Sequence, residues 1–287
     1  MYLIIGASGT VGSEVTKKLL QQGESVRCLV RDDAKLSQLP AGASGVIADL
    51  EQPASLTAAF KGISAVFLLN ALSQSETAQG LAAIAAARAA GVEKIVYLSV
   101  PMPEGATHIP HFSSKIAVEQ ALMASSIDYT ILRPNNFFQN DAWFLQAIMD
   151  YKIYPQPLGE VGLNRIDVRD IADAAVNALC NSGFENQSYE LHGPDTLTSL
   201  STSAAYRQHT GLDIQHAGDD LESWAVQAKT MLPEWMVEGL QIMYQYFQDH
   251  GLVASALQLK HQQQIIGHAP RSFDDYVQEV IGNWRAN

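Results

Sequence analysis

The sequence predicts an α/β fold: a doubly wound parallel sheet with a smaller, mainly helical lobe toward the C-terminus. Three observations predict it. Residues 1–5 are an apolar run that enters Gly6-Ala-Ser-Gly9-Thr-Val-Gly12 at once, and an amphipathic stretch over 13–22 follows. Five more short apolar runs recur up to Leu132 with helical stretches between them. These runs are continuous rather than alternating, the pattern of strands covered on both faces. Strands alternating with helices in this way specify a parallel sheet.

The first turn carries the strongest chemistry. Gly6 lets the chain turn sharply out of the strand, Gly9 lets a pyrophosphate approach the backbone, and Gly12 lets helix and strand pack closely. The exposed N–H groups and the helix dipole favour a bound anion. The spacing is GxxGxxG rather than GxGxxG, and its place after an N-terminal strand makes it a dinucleotide fingerprint. Gly6, Ser8, Gly9, Thr10, Val11 and Gly12 are therefore expected to hold a dinucleotide.

The next strand spans 26–30 and ends at Val30, with Arg31 following. An NAD site usually places Asp or Glu here for the ribose 2′-OH, whereas a guanidinium suits the 2′-phosphate of NADP. Arg31, with Lys35 one helical turn on, points to NADP(H). Asp32 and Asp33 could turn to a ribose instead, and Lys35 reads equally as a solvated lysine.

A strand over 44–48 leads to Asp49 and Leu50, where the carboxylate can accept from an adenine amino group and the leucine can pack on the ring. A helix N-cap is the competing reading of Asp49. The strand over 65–69 ends at Leu69 and Asn70. A helix over 77–90 is stopped by Gly91. The strand over 94–98 ends at Ser99. Ligands bind such sheets at the carboxyl ends of the strands, so Leu69, Asn70 and Ser99 fall where the nicotinamide half should run. The last strand, 129–132, opens into Pro134-Asn135-Asn136-Phe137-Phe138.

Composition fits an enzyme-sized chain. At 287 residues it can build one large core, or one domain plus a lobe. A net charge of −12 argues against nucleic acid and against an anionic membrane surface as partners. No apolar run approaches a membrane span, and no basic segment precedes the first apolar residues, so neither a transmembrane helix nor a signal peptide is expected. Two cysteines, Cys28 and Cys180, fit a reducing cytoplasm and read as buried filler. The eight histidines show no HExxH and no Cys/His pair with ligand spacing, so no metal is expected. There is no GxSxG elbow either.

GASGTVG, VRCLVRD, AVFLLN, VEKIVYLSV, HxxxK and DYTILRPNNFFQN, taken in order, resemble the NmrA-like, atypical branch of the short-chain dehydrogenase/reductases. NRIDVRDIA over 164–172 and YELHGP over 189–194 resemble its later motifs. The resemblance covers nearly the whole chain. It implies an NADP(H)-binding fold and one of several activities: reduction of quinones, dyes or phenylpropanoid ethers, or redox sensing without turnover. It also implies that the turn from Pro134 to Phe138 borders the nicotinamide. Asn135 and Asn136 would bond the carboxamide there, and Phe137 and Phe138 would wall the ring. A plain turn with core aromatics is the alternative.

The wider superfamily pairs Tyr and Lys four apart on one helical face, the Lys holding the nicotinamide ribose and lowering the Tyr pKa. Here that position reads His111-Phe-Ser-Ser-Lys115: the Lys is kept and the Tyr is not. Lys115 is expected to bind the nicotinamide ribose or amide. His111 is a candidate general acid, because free imidazole titrates near neutrality, or else it lines the helix start. Lys115 and His111 are thus the candidate catalytic pair.

The second half is less legible. A nucleotide domain over 1–138, completed by parts of 159–195, is expected beside a substrate lobe over 139–158 and 196–287. A helix from Asp167 to Cys180 should return to the nucleotide domain, with Asp167 or Asp170 near its start. Trp224, Met231, Trp235, Met236, Met243, Tyr244, Tyr246 and Phe247 at helical spacing read as core. An apolar pocket for a planar substrate, or the interface of a homodimer, are alternatives. The function expected is NADPH-dependent reduction of a small planar electrophile. A regulator that senses NADP(H) and binds a protein partner is the alternative. An epimerase or dehydratase would lean on the missing Tyr.

Overall fold

Apolar segments of four to seven residues pair side by side in the computed structural model, which describes residues 1–286. They are β1 (Tyr2–Ile5), β2 (Val26–Val30), β3 (Ser44–Ile47), β4 (Ala65–Leu68), β5 (Lys94–Leu98), β6 (Asp128–Pro134) and β8 (Gln187–Leu191). All pair in parallel, in the order β3-β2-β1-β4-β5-β6-β8. The order reverses between β1 and β4, which makes the doubly wound sheet and puts a ligand crevice at their carboxyl ends. Leu68 pairs with Tyr97, so Asn70 and Ser99, each two residues further, leave the sheet side by side.

Helices cover both faces. On one lie α1 (Thr10–Gln21) and α7 (Val168–Cys180). Val11, Val15 and Leu19 recur along one stripe of α1 and pack with Ile171, Ala175 and Leu179 of α7. On the other face lie α3 (Leu56–Phe60), α4 (Glu76–Ala90) and α5 (Pro110–Met123), joined through Phe60, Ile84, Val118 and Leu122. Gly91 ends α4 in the left-handed conformation, at φ 71°. Asp167 caps α7 by accepting the Arg169 N–H at 2.8 Å. β3 departs from expectation. It lies at the sheet edge, and the four-residue helix α2 (Asp33–Leu36) is too short to shield it, so Ser44, Gly45 and Ile47 are exposed rather than covered.

The second lobe begins with a 3₁₀ segment (Phe138–Phe144). It adds α6 (Leu145–Asp150), β7 (Ile153–Tyr154), α8 (Ser199–Thr210), β9 (Gln215–His216), α9 (Leu221–Ala228), α10 (Glu234–His250) and α13 (Phe273–Ala286). Met243, Tyr244, Tyr246 and Phe247 are buried in its core, as the helical spacing predicts, whereas Met231 at the α9–α10 turn is exposed. Between these helices α11 (Ala256–His261) and α12 (Gln263–Ile266) run back to the sheet. Ile265 and Ile266 of α12 join the core under α1 and α7, and His261 stacks on Tyr189 of β8 at 5.3 Å. This short stretch thus packs against the sheet side, away from the other helices of 196–287.

A fully buried ion pair joins the two parts. Arg165 and Asp141 are each 0 % exposed and 2.8 Å apart. Asp141 also accepts from Gln156 at 2.6 Å and Tyr206 at 3.1 Å. Arg165 donates to the Phe137 carbonyl at 2.8 Å and lies 5.4 Å from the Phe273 ring centre. Among the described residues no helix is long and apolar enough to cross a membrane. Asp141→Ala leaves a buried guanidinium without its counter-ion and should destabilise the fold by about 3–5 kcal/mol. Urea unfolding followed by tryptophan fluorescence checks this, and a loss below about 1 kcal/mol would contradict the role given to the pair.

Candidate active site

The glycine turn is built on close backbone contact. Gly6 sits at φ +82°, a left-handed conformation that a side chain resists. A Cβ at Gly6 would stand 2.9 Å from the Leu69 carbonyl oxygen, and one at Gly12 would overlap the Gly6 carbonyl oxygen outright. The start of α1 is thus pressed onto the edge of the sheet. Gly9 caps α1 with no side-chain hydrogen bond, and the first turn holds no acidic residue. Ser8 and Thr10 beside it are exposed, while Val11 is buried beneath. This is a cradle for an anion such as a pyrophosphate.

Beyond β2, Arg31 and Lys35 are exposed. The Arg31 side chain makes no hydrogen bond or ion pair among the described residues. Asp32, the alternative ribose ligand, accepts the Lys35 N–H at 2.8 Å as the cap of α2. Asp49 is likewise committed to its own turn, accepting the Glu51 N–H at 3.0 Å. Leu50 is buried in the sheet core with Leu29 and Leu56 rather than offered to an adenine.

The crevice floor is different. Asn70 is 4 % exposed and Ser99 3 % exposed, yet both amide atoms of Asn70 and the Ser99 hydroxyl lack a partner. The Tyr97 hydroxyl and His111 Nδ1 are also buried and unpartnered. Each such group costs about 1–3 kcal/mol unless something satisfies it. A donor-and-acceptor pair at the carboxyl ends of β4 and β5 fits the hydroxyls and carboxamide of a nicotinamide nucleotide.

Lys115 is 3 % exposed and donates to Glu76 Oε1 at 2.6 Å. Glu76 opens α4, and its Oε2 accepts from Ser114 at 2.8 Å. The ammonium lies 5.6 Å from the Tyr97 ring centre. His111, one turn earlier on the same face of α5, has its pKa pushed down to about 3, first by burial and then by the Lys115 charge. Both causes disfavour the imidazolium form, a direction that runs against the acid role expected of His111.

The turn after β6 is structural. Asn135 is fully buried, donates to the Leu252 carbonyl at 2.8 Å and accepts from the Asn136 N–H. Asn136 Oδ1 accepts from Arg165 at 3.1 Å. Phe138 is buried against Phe273 at 5.1 Å. Pro134 completes β6 opposite Leu191, and Asn136 and Phe137 are both half-buried. The Asn135 side chain is engaged in these internal contacts, while Asn136 uses its side-chain oxygen on Arg165 and Asn140.

Sequence reasoning misses Glu76, Asp141 and Arg165. A lone acid at a helix start and a lone acid and base far apart give no local signal. Asp170, Asp173 and His268 lie close enough to hold an ion, but Arg271 pairs with both acids and Lys18 lies 2.5 Å from Asp173. A surface groove of about 540 Å³ runs beside α10, lined by His108, Glu238, Ile242, Tyr246, Asp249 and His250. None of the residues at the carboxyl edge of the sheet lines it.

Fold and crevice together define a dinucleotide-binding protein of the doubly wound class. Within that class the chain belongs to the NmrA-like family, whose model matches residues 2–277. It is 33 % identical over 249 residues to the NAD(P)H azoreductase of Xenophilus azovorans, covering 85 % of this chain and 86 % of the relative. The solved NADPH complex of a quinone oxidoreductase from Escherichia coli superposes with a TM-score of 0.86 at 24 % identity, covering 98 % of this chain and 100 % of the other. A triphenylmethane reductase from Citrobacter, solved with NADP(H), gives 0.84 at 23 % identity, covering 97 % and 99 %.

The depressed His111 pKa sets a pH dependence. The folded state resists a proton that the unfolded chain takes up near pH 6.5, so stability is lost as pH falls below about 6.5 toward 3. Thermal unfolding of His111→Asn should show a shallower loss over that window than wild type. A ring that titrates near neutrality by NMR would contradict the assignment.

Proposed function

We propose that the chain is an NADPH-dependent reductase of small planar electrophiles such as quinones or dyes. The observation that carries this reading is the juxtaposition of an open anion cradle at Gly6–Gly12 with the unpartnered Asn70 and Ser99 beside it. One holds a pyrophosphate, and the other receives the nicotinamide half of the same ligand. The azoreductase likeness, and the NADPH held by the solved quinone oxidoreductase, support the same reading.

NADPH supplies the hydride. The chain's residues bind and orient it. Arg31 and Lys35 take the 2′-phosphate, Gly6 to Gly12 the pyrophosphate, and Asn70, Ser99 and Lys115 the nicotinamide ribose and amide. Holding ring and substrate in register while excluding water supplies most of the acceleration such a transfer needs. Leu69 and Phe137 flank the crevice. Because His111 is neutral and no Tyr stands four residues before Lys115, the proton that completes reduction comes from solvent. That suits quinones, whose reduced oxygens are basic enough to collect it.

The same lack of an acid favours a second reading, an NADP(H) sensor without turnover. Such a sensor must distinguish NADPH from NADP⁺ in its own affinity or in its affinity for a partner.

Arg31→Ala should weaken NADPH binding about 10- to 100-fold, the loss of a charge-assisted contact, and leave NADH binding unchanged. Fluorescence titration measures both. NADH binding as tightly as NADPH, with no change in the variant, would overturn the NADP assignment. Steady-state NADPH oxidation against a panel of quinones and azo and triphenylmethane dyes should find turnover. Tight NADPH binding with no turnover on any member favours the sensor.

A further inference from the structure

We propose that Glu76, reaching across from α4, is the positioning residue for Lys115. The proposal rests on the assignment of Lys115 to the nicotinamide ribose.

Lys115 is buried, and a buried ammonium is tolerated only when paired and hydrogen-bonded. Its single side-chain partner among the described residues is Glu76 Oε1, at 2.6 Å. An ammonium has three donors, so two remain for a ligand. Glu76 is itself 1 % exposed and fixed by a second bond from Ser114 Oγ to its other oxygen. Both oxygens are therefore used, and the carboxylate cannot swing away. It stands at the first position of α4, where the helix dipole also favours an anion.

The position matters as much as the charge. α4 begins just after the loop that carries Asn70, and α5 begins after the loop that carries Ser99. The Glu76–Lys115 bond ties these two helices together. It fixes how far Nζ stands from the floor of the crevice, over the Tyr97 ring. Without a tyrosine at position 111, no other residue of α5 can anchor the ammonium. His111 is neutral, and Glu119 is engaged with Arg133 of β6, at 3.0 Å to one oxygen.

The titratable and charged groups facing Lys115 are Glu76 from α4, His111 and Glu119 from α5, Tyr97 from β5 and, behind Glu119, Arg133 from β6. Glu76 is the one in contact with the ammonium. Replacing it with glutamine keeps the shape and removes the counter-ion. The buried amine then gives up its proton more readily as pH rises, because burial disfavours the charged form.

The test is NADPH titration from pH about 7 to about 9 in wild type, Glu76→Gln, Lys115→Met and the double variant. Wild-type affinity should be nearly level across this range. Glu76→Gln should approach wild type at the acid end and bind about tenfold more weakly at the alkaline end, the charged amine being less favoured without its counter-ion. Lys115→Met should be weak at every pH, and adding Glu76→Gln to it should change nothing more. A level profile for Glu76→Gln, or the same loss with and without Lys115, would overturn the proposal, since a merely structural carboxylate acts in both backgrounds. If Glu76→Gln does not fold, Glu76→Asp replaces it. That variant keeps the charge but shortens the reach, so affinity should fall without a pH slope, and unchanged affinity would overturn the role. Failure of wild type to bind NADPH would instead sink the function proposed above.

Discussion

The contact between the Gly6 carbonyl and Gly12 governs the rest of the site. A Cβ at position 12 would overlap that carbonyl oxygen, so no other residue fits there without moving helix or strand. The contact presses the start of α1 onto the carboxyl edge of the sheet. It also sets the spacing to Leu69, which abuts Gly6 and leads directly into Asn70. The anion cradle and the crevice floor therefore share one backbone joint. α1 then buries Val15 and Leu19 against α7, so the joint is backed by one continuous apolar core.

A second constraint acts from the other side. The buried Asp141–Arg165 pair ties the turn after β6 to the second lobe through Asn136 and the Phe137 carbonyl. Its energetic logic is satisfaction rather than attraction. Desolvation of two charges is costly, and it is offset only because Gln156, Tyr206 and backbone carbonyls complete both groups. The outcome is that Asn136 and the Phe137 carbonyl are tied to this buried pair.

The nucleotide half is legible in the sequence because its signals are local. Strand, glycine turn and helix lie within some twenty residues, and continuous apolar runs report burial on both faces. β3 shows the limit: its residues look like those of the other strands, but exposure is decided by what pairs beyond it, and nothing does. The site's polar logic is legible only in part. Asn70 and Ser99 follow from the rule that ligands bind at strand ends. Glu76, Asp141 and Arg165 do not, because each has meaning only with a partner brought from 24 to 39 residues away. Asn135 and Asn136 read as ligand-binding for the same reason in reverse, since their protein partners are distant in sequence. The acid role expected of His111 follows from the free imidazole, and burial beside a lysine opposes it.

The central claim is that a bound NADPH delivers hydride from this crevice. A single-turnover mixing experiment tests it most directly. Protein loaded with NADPH, with and without deuterium at the transferred position of the nicotinamide, is mixed with a quinone, and the loss of reduced-nicotinamide absorbance is followed. The expected result is complete oxidation of the bound cofactor in one phase, slowed by deuterium. Bound NADPH that persists unoxidised, or oxidation at a rate the isotope does not change, would contradict hydride transfer as the step this site performs.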